Sequence, residues 1–248
     1  MDRSTGQLEE ELAARVPGVR VLSSSGNVGP GGGRHRCIEA ATQPLFASFD
    51  DDSWPIDSNY FSEMIRLFGD RPRTGILAAS VYHPGETCPP YSEDAKPTPS
   101  YIGCGFAVRV EAYRQTSGHL DRACPYGFEE LDLALQLYAL DWTILQCSGL
   151  RVYHDTTRSH HSRPDLVAGI IQNAALLPYL RYPARLWPRA VLQVGNVVVD
   201  MLERKRFRGI GTGLWNLPLI LRQYAAHRRV LSAAKIQAYL RTRQNTEA

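Results

Sequence analysis

The sequence of 248 residues is short of the features that would give it a quick assignment. Its five cysteines, Cys37, Cys88, Cys104, Cys124 and Cys147, are odd in number, form no CxxC pair and lack the spacing of a zinc site. Reduced thiols in a cytoplasmic setting are therefore expected rather than a disulfide framework. No signal peptide opens the chain. The longest apolar runs, Leu166 to Leu180 and Ala190 to Val199, are too short or too interrupted by Gln, Asn, Gly and Pro to span a bilayer. Two glycine fingerprints of phosphate binding are missing as well: GxGxxG after a first strand, and GxxxxGK followed by Ser or Thr. Helix-turn-helix, zinc-finger and RNP-like signatures are not found, so nucleic acid is not expected as a partner. At 44% hydrophobic the chain can nevertheless bury a sizeable core, as one large α/β domain or a domain with an extension.

The net charge of +3 conceals an asymmetry. Up to Thr157 there are 13 Lys and Arg against 21 Asp and Glu, and from Arg158 onward 15 against 4. An acidic segment suits metal binding. A basic helical segment containing Trp and Tyr suits an anionic surface such as phospholipid headgroups. The expected division is a domain over 1–157 and a basic amphipathic helical extension over 158–248.

The most informative stretch is FASFDDDSWP, residues 46–55, an apolar strand running into Asp50, Asp51 and Asp52. Along a strand, Asp50 and Asp52 share one side and Asp51 takes the other, so two carboxylates converge at a strand end, where open α/β sheets bind ligands. Mg²⁺ or Mn²⁺ is held by such a pair when substrate phosphates complete the shell. An isolated DDD is more often a polar turn.

Around it, strands and helices alternate. Thr5 to Val16 reads as a helix ended by Pro17-Gly18, Val19 to Ser23 as a strand, and SGNVGPGGGR as a glycine-rich turn into a helix, with Arg34 a fixed cation beside it. Ser58 to Phe68 reads as a helix capped by Ser58, Gly75 to Tyr82 as a buried strand, and His83 to Ser100 as a Pro-rich flap. Tyr101 to Val110 reads as a strand with close backbone approach at Gly103 and Gly105. The alternation predicts an α/β fold with a mostly parallel sheet and helices on both faces.

In LDRACPYGFEELDLALQL, a Pro-Tyr-Gly turn delivers Glu129, Glu130 and Asp132 to the first turn of an amphipathic helix. Acids there complement the helix dipole; clustered, they also raise one another's pKa toward the range of a general base. Trp142 to Gln146 and Arg151 to Tyr153 read as short strands around Ser148-Gly149, ending at His154, a metal ligand or a loop cap. Beyond them, Pro164 to Tyr182, Pro188 to Lys205 and Leu214 to Arg243 read as helices with arginines flanking apolar faces. They either simply pack on the sheet domain or form a membrane-surface platform, with Trp187, Trp215 and the cluster Arg204, Lys205, Arg206 and Arg208 at the interface.

Taken together and in order, NVGPGGGR, FASFDDDSWP, IGCGFAVRVEAY, GFEELDLALQL and VYH resemble the family 2 glycosyltransferases of the GT-A (Rossmann-like) fold. The resemblance implies a DxD motif at Asp50 and Asp52 that grips Mg²⁺ or Mn²⁺ on a nucleotide-sugar diphosphate, with His154 completing the metal site. It implies a catalytic base at Glu130, with Glu129 beside it. It also implies contacts to the nucleotide sugar from Asn27, Gly29, Arg34, Asp50, Asp51, Gly103 and Gly105, and from Asp2, which with Ser4 would be the remnant of a base-binding loop. Relatives begin with a strand, helix and strand for which this chain has only MDRSTGQ, so an N-terminally truncated fold is implied.

The expected activity is an inverting transfer from a UDP-, dTDP- or GDP-sugar to a glycan or lipid-linked acceptor, in cell-envelope polysaccharide synthesis at the inner face of the membrane. Glycoside hydrolysis needs an acid and a base flanking the bond and no strand-end DDD, and phosphoryl transfer lacks its P-loop here. The alternative from another class is a catalytically incomplete remnant acting as a binding or membrane-surface module, which would tolerate Ala at Asp52 and Glu130.

Overall fold

The computed structural model describes residues 10–12, 14–122, 124, 128–156 and 163–247. Asp2, Ser4 and the Pro-Tyr-Gly turn lie outside the described residues, as does the 157/158 division. Of the expected Thr5 to Val16 helix, residues 10–12, 14 and 15 are described and are helical.

The ordered elements are α1 (Gly29–Glu39), β1 (Leu45–Ala47), β2 (Ser53–Pro55), α2 (Tyr60–Asp70), β3 (Thr74–Tyr82), β4 (Ala95–Pro97), β5 (Ala107–Arg109), α3 (Val110–Arg114), α4 (Glu129–Ala139) and β6 (Thr143–His154). They are followed by α5 (Pro164–Arg181), α6 (Trp187–Glu203), α7 (Ile210–Trp215), α8 (Leu217–Gln223) and α9 (Ala233–Glu247). The sheet runs β1-β5-β3-β6, and the far side of β6 pairs with β2 along one part of its length and β4 along another.

The central strand explains the layering. In β3, Ile76 and Ala78 face one core cluster and Leu77 and Ala79 face another, so a strand covered on both faces reads as an unbroken apolar run. Against the first face pack Leu133, Ala134 and Leu137 of α4 and Ile236, Tyr239 and Leu240 of α9. Against the second pack Tyr60, Met64, Leu67 and Phe68 of α2. Helices on both faces are thus present. The segment after 163 supplies part of this core, because Tyr182, Leu186 and Ala233 belong to the same cluster as the strands.

Several local expectations give way. The sheet is not mostly parallel: β3–β6 is the parallel pair, and β1–β5, β3–β5, β2–β6 and β4–β6 are antiparallel. Alternation along the sequence fixes the layers but not the direction in which short strands add to an edge. Val19 to Ser23 forms no strand among the described residues, and Val19 and Leu22 are exposed. The glycine-rich stretch is not a turn before a helix but the opening of α1 itself, with Pro30 in its first positions. Ser58 makes no cap, since α2 starts one residue later with Asn59 at the N-cap. The flap contains β4, strand structure in Tyr101 to Val110 is confined to β5, and the two short strands around Ser148-Gly149 are one strand with a bulge.

Candidate active site

The site is built where β1 ends. Past Ala47 the chain stays tied to its neighbour through Ser48 N–H to the Phe106 carbonyl (2.8 Å) and Gly105 N–H to the Ser48 carbonyl (2.8 Å). It then turns sharply. The Asp50 N–H donates to Ser53 Oγ (2.7 Å), while the Ser53 hydroxyl (3.0 Å) and N–H (3.1 Å) both donate back to the Asp50 carbonyl. The three aspartates therefore occupy a tight turn between β1 and β2 rather than a strand end. Asp50 and Asp52 are half-buried, Asp50 against the Arg34 guanidinium and Asp52 against the His154 ring, and Asp51 is exposed.

Arg34 organises what surrounds it. Carried on α1, it donates from Nη2 to Asp50 Oδ1 (2.5 Å), from Nη1 to Glu129 Oε1 (3.3 Å) and from Nε to Ser48 Oγ (3.2 Å). One guanidinium thus links the aspartate turn to the start of α4. Its planar fork of donors allows this, where a lysine would reach one partner at a time.

On the other side, the β2–β6 register sets Ser53 opposite His154. His154 Nε2 lies 3.1 Å from Asp52 Oδ1, the His83 ring is 5.3 Å from the His154 ring, and His83 Nδ1 is 3.2 Å from the His154 carbonyl. Asp50, Asp52 and His154, expected together from the sequence, are indeed brought to one place. Cys104 joins them. A donor atom from each of Asp50, Cys104 and His154 lies within 4.8 Å of the others. Two carboxylates and an imidazole on an exposed-to-buried gradient are a chemically suitable oxygen and nitrogen donor set for Mg²⁺ or Mn²⁺.

Glu129 and Glu130 open α4. Burial, then the neighbouring Glu130 charge, push the Glu129 carboxyl up to about 8 against the pull of Arg34. Glu130 is raised as well, by burial, although Arg34 and the backbone N–H of Gly103 favour its charged form. Gly103 is required by proximity: a Cβ there would lie 2.9 Å from both Arg34 Nη1 and Glu130 Oε1. Gly105 is required twice over, by a φ of +72° and by Val152 Cγ2, which a Cβ would meet at 2.6 Å. Its carbonyl accepts from the Tyr60 hydroxyl at 2.9 Å.

Asn27 and Gly29 act on the loop. Asn27 Oδ1 accepts from the Gly29 N–H (2.9 Å), an Asx turn that leads into α1 through Gly29 at φ +69°. Asp2 is outside the described residues.

Four residues of the site were not singled out from the sequence. Ser48 and Cys104 lie inside stretches that carry the resemblance, but as single small residues between Ala47 and Phe49 and between Gly103 and Gly105. Tyr101 is buried with no hydrogen-bond partner for its hydroxyl among the described residues, and Glu129 Oε2 has none either. His119 is buried against Tyr113, with ring centroids 5.6 Å apart. Burial, the Arg34 charge and His35 drive its pKa down to about 3, so it stays neutral. Each owes its place to long-range packing around residues 101–106, His119 and the start of α4, which no local pattern encodes.

Comparison with known proteins adds a family match over part of the chain. Residues 2–116 match the sequence model of the family described as glycosyl transferase family 2. No curated protein matches the sequence. Among solved structures, GalNAc-T7 with UDP, GalNAc and Mn²⁺ superposes with a TM-score of 0.54 at 9% identity, over 73% of this chain and 40% of that one. The mannosyltransferase PcManGT from Pyrobaculum calidifontis, in complex with GDP-Man and Mn²⁺, gives 0.51 at 10% identity, over 98% of this chain and 75% of that one. S. aureus TarS 1–349 with UDP-GlcNAc gives 0.52 at 12% identity, over 98% and 79%. This chain therefore spans less than half of GalNAc-T7 and about three quarters of the other two. At such identities the likeness is one of fold, that of the GT-A glycosyltransferases.

Proposed function

We propose that this chain, glycosyl transferase family 2 over residues 2–116, moves a sugar from a nucleoside-diphosphate sugar to a hydroxyl acceptor with inversion at the anomeric carbon. The observation that carries the reading is the single guanidinium of Arg34 joining the aspartate turn to the paired glutamates of α4. That link sets the residues for a leaving diphosphate next to the residues for an attacking hydroxyl. Asp50, Asp52 and His154 would hold the divalent cation. When bound, Mg²⁺ or Mn²⁺ would neutralise charge on the departing diphosphate.

The remaining work belongs to the chain's own side chains. Glu130 accepts the acceptor hydroxyl's proton as the oxygen attacks the anomeric carbon and the bond to the diphosphate breaks on the opposite face. Glu129, buried at its side, holds the pair's affinity for a proton high, which suits a base that must act near neutral pH. Arg34 keeps the two centres in register, and Gly103 leaves the space its guanidinium needs. Orphaned Tyr101 Oη and the protonated Oε2 of Glu129 each supply a donor for hydroxyls of the sugars. Asn27, Gly29, Asp51 and Gly105 are assigned to the donor site through the loops they shape, at the same level of inference.

The acceptor reading rests on a surface. Helix α6 is apolar on two faces: Val194, Val197, Val198 and Met201 pack toward Val167 and Ile171 of α5, whereas Val191 (71% exposed), Leu192 (68%), Val199 and Leu202 face solvent. Trp215 nearby is 86% exposed, and Phe207 and Leu219 are exposed too. With Arg189, Arg204, Lys205 and Arg208 on the same segment, this combination suits an anionic lipid surface and hence a lipid-linked or membrane-held glycan, as in envelope polysaccharide synthesis. No described helix is long and apolar enough to cross a membrane.

The test is nucleoside-diphosphate release from UDP-, GDP- and dTDP-sugars with Mn²⁺, in membrane extract as the acceptor source. Release by the wild type and its loss in Glu130→Gln, with nucleotide binding retained, is expected. A folded chain that releases none from any donor contradicts the reading and favours a non-catalytic binding module.

A further inference from the structure

The side chain that stands out beside the aspartate turn is Cys104. It is 2% exposed, it sits between Gly103 and Gly105, and its sulfur lies with a carboxylate oxygen of Asp50 and a ring nitrogen of His154, all within 4.8 Å of one another. Burial raises the thiol's pKa, while the Ser53 hydroxyl and the Asp50 backbone N–H, both from the turn that carries Asp50 and Asp52, pull it down. The sulfur is thus at the edge between the apolar cluster and the aspartate turn. In a tetrahedral set with bonds of about 2.0–2.3 Å, neighbouring ligand atoms lie about 3.3–3.8 Å apart. The three donors, all within 4.8 Å of one another, close on a single ion with side-chain shifts of up to about 1 Å.

We propose that Cys104 is a thiolate ligand of this centre, which with Asp50 and His154 takes a borderline cation such as Zn²⁺ or Co²⁺ in preference to Mg²⁺. The inference rests on the reading of Asp50 and His154 as metal ligands and specifies which ions they bind. Mg²⁺ prefers an all-oxygen octahedral shell and gains nothing from sulfur, whereas zinc and cobalt accept carboxylate, imidazole and thiolate in one tetrahedral set. Binding displaces the thiol proton to solvent, so no oxidant or other reagent is involved. The consequence for the enzyme is regulatory: Zn²⁺ would compete for the centre and retain the position that Mg²⁺ or Mn²⁺ shares with the diphosphate.

Co²⁺ is the probe, because a cobalt–thiolate bond gives a near-ultraviolet charge-transfer band that oxygen and nitrogen ligands do not. The expected result is that band on titrating the intact chain with Co²⁺, its loss in Cys104→Ser, and a fall in Zn²⁺ affinity in the same variant larger than the about 10–100-fold that removal of an outer-shell partner brings. Mg²⁺ affinity should not change. Co²⁺ uptake with visible d–d absorption but no charge-transfer band, or a band that persists in Cys104→Ser, overturns the thiolate ligand and leaves the carboxylate–histidine centre standing. Failure of the folded chain to bind Co²⁺ at all overturns both. The wild-type spectrum by itself separates a thiolate-bound ion from one held by oxygen and nitrogen alone, however well the variant folds.

Discussion

Glu129 is held in its protonated form well above the usual carboxylate range, and the consequence can be followed in two observables. Its carboxyl is raised from an ordinary 4.5 to about 8, first by burial and then by Glu130, with Arg34 opposing and Asp50 adding to the rise. Because the unfolded chain gives up this proton near its ordinary value, the folded state binds more protons between the two values. Stability contributed by the protonated group is therefore complete below pH 4.5 and lost as pH rises through about 8. Urea unfolding at pH 5 and pH 8 should show the wild type losing stability toward pH 8, and Glu129→Gln losing less; equal losses would rule out the buried acid as the cause. For catalysis the sign is reversed. The pair must give up a proton before Glu130 can take one, so kcat/KM should climb with pH on its acid limb, an apparent value that belongs to both glutamates together. Gly103 offers a third reading of the same centre: Gly103→Ala places a methyl against Arg34 and Glu130, and kcat should fall about tenfold, equivalent to about 1.4 kcal/mol of barrier, while the fold persists; a kcat equal to the wild type's would show that Gly103 does not set the pair. Of these residues, Asp50, Asp52, Glu130, His154 and Arg34 were legible in the sequence because each sits in a short motif. Cys104, His119 and Tyr101 were not, since what defines them is burial beside residues distant in the chain.

At the scale of elements, the orientation of α4 depends on one buried pair. Asp132, one turn into the helix that presents the glutamates, accepts from Arg181 at the end of α5 through Nε to Oδ1 (2.5 Å) and Nη2 to Oδ2 (2.7 Å). The side chains are 2% and 0% exposed, and Gln136 Nε2 adds a bond to Asp132 at 3.0 Å. Removing one partner strands a charge in the core, so Asp132→Asn or Arg181→Met should each destabilise the fold by about 3–5 kcal/mol in chemical denaturation. Replacing both by apolar residues should recover much of that loss. If either single variant unfolds like the wild type, the pair is not what holds α4 in place. The sequence placed Asp132 correctly in the first turn of a helix but read it as a dipole partner; its true partner lies 49 positions away. The same limit explains the sheet. β3 and the helices α2 and α4 were legible because their apolar pattern is local. β1, β2, β4 and β5 are three residues each, and their antiparallel pairing is decided by partners from elsewhere in the chain.

The whole molecule combines an acidic half that carries the site with a basic half whose last helix completes the core and whose α6 leaves an apolar face uncovered. Such a face beside arginines should behave as a lipid-binding surface. Co-sedimentation is expected with vesicles containing anionic phospholipid, less with zwitterionic ones, and to fall steeply in Val191→Glu with Leu192→Glu; binding unaffected by that double change would remove α6 from the interface. The helices over Pro164 to Tyr182 and Pro188 to Lys205 were legible in the sequence from their boundaries at Pro and Gly, whereas Leu214 to Arg243 is divided into α8 and α9 by a non-helical stretch over 228–232 that no Pro or Gly marks. That α9 returns to the strands was not legible, because nothing in its polar-rich sequence distinguishes a core helix from a peripheral one.

At the centre of the proposed activity, the aspartate turn holds a cation and, through it, a nucleoside diphosphate. The most direct measurement is calorimetric titration of the chain with UDP, GDP and dTDP, each with and without Mn²⁺, alongside Asp52→Ala. Mn²⁺-dependent binding of one of the three nucleotides is predicted, and its loss in the variant. Absence of binding to all three by the folded wild type, or binding that Asp52→Ala leaves intact, would contradict that role for the turn.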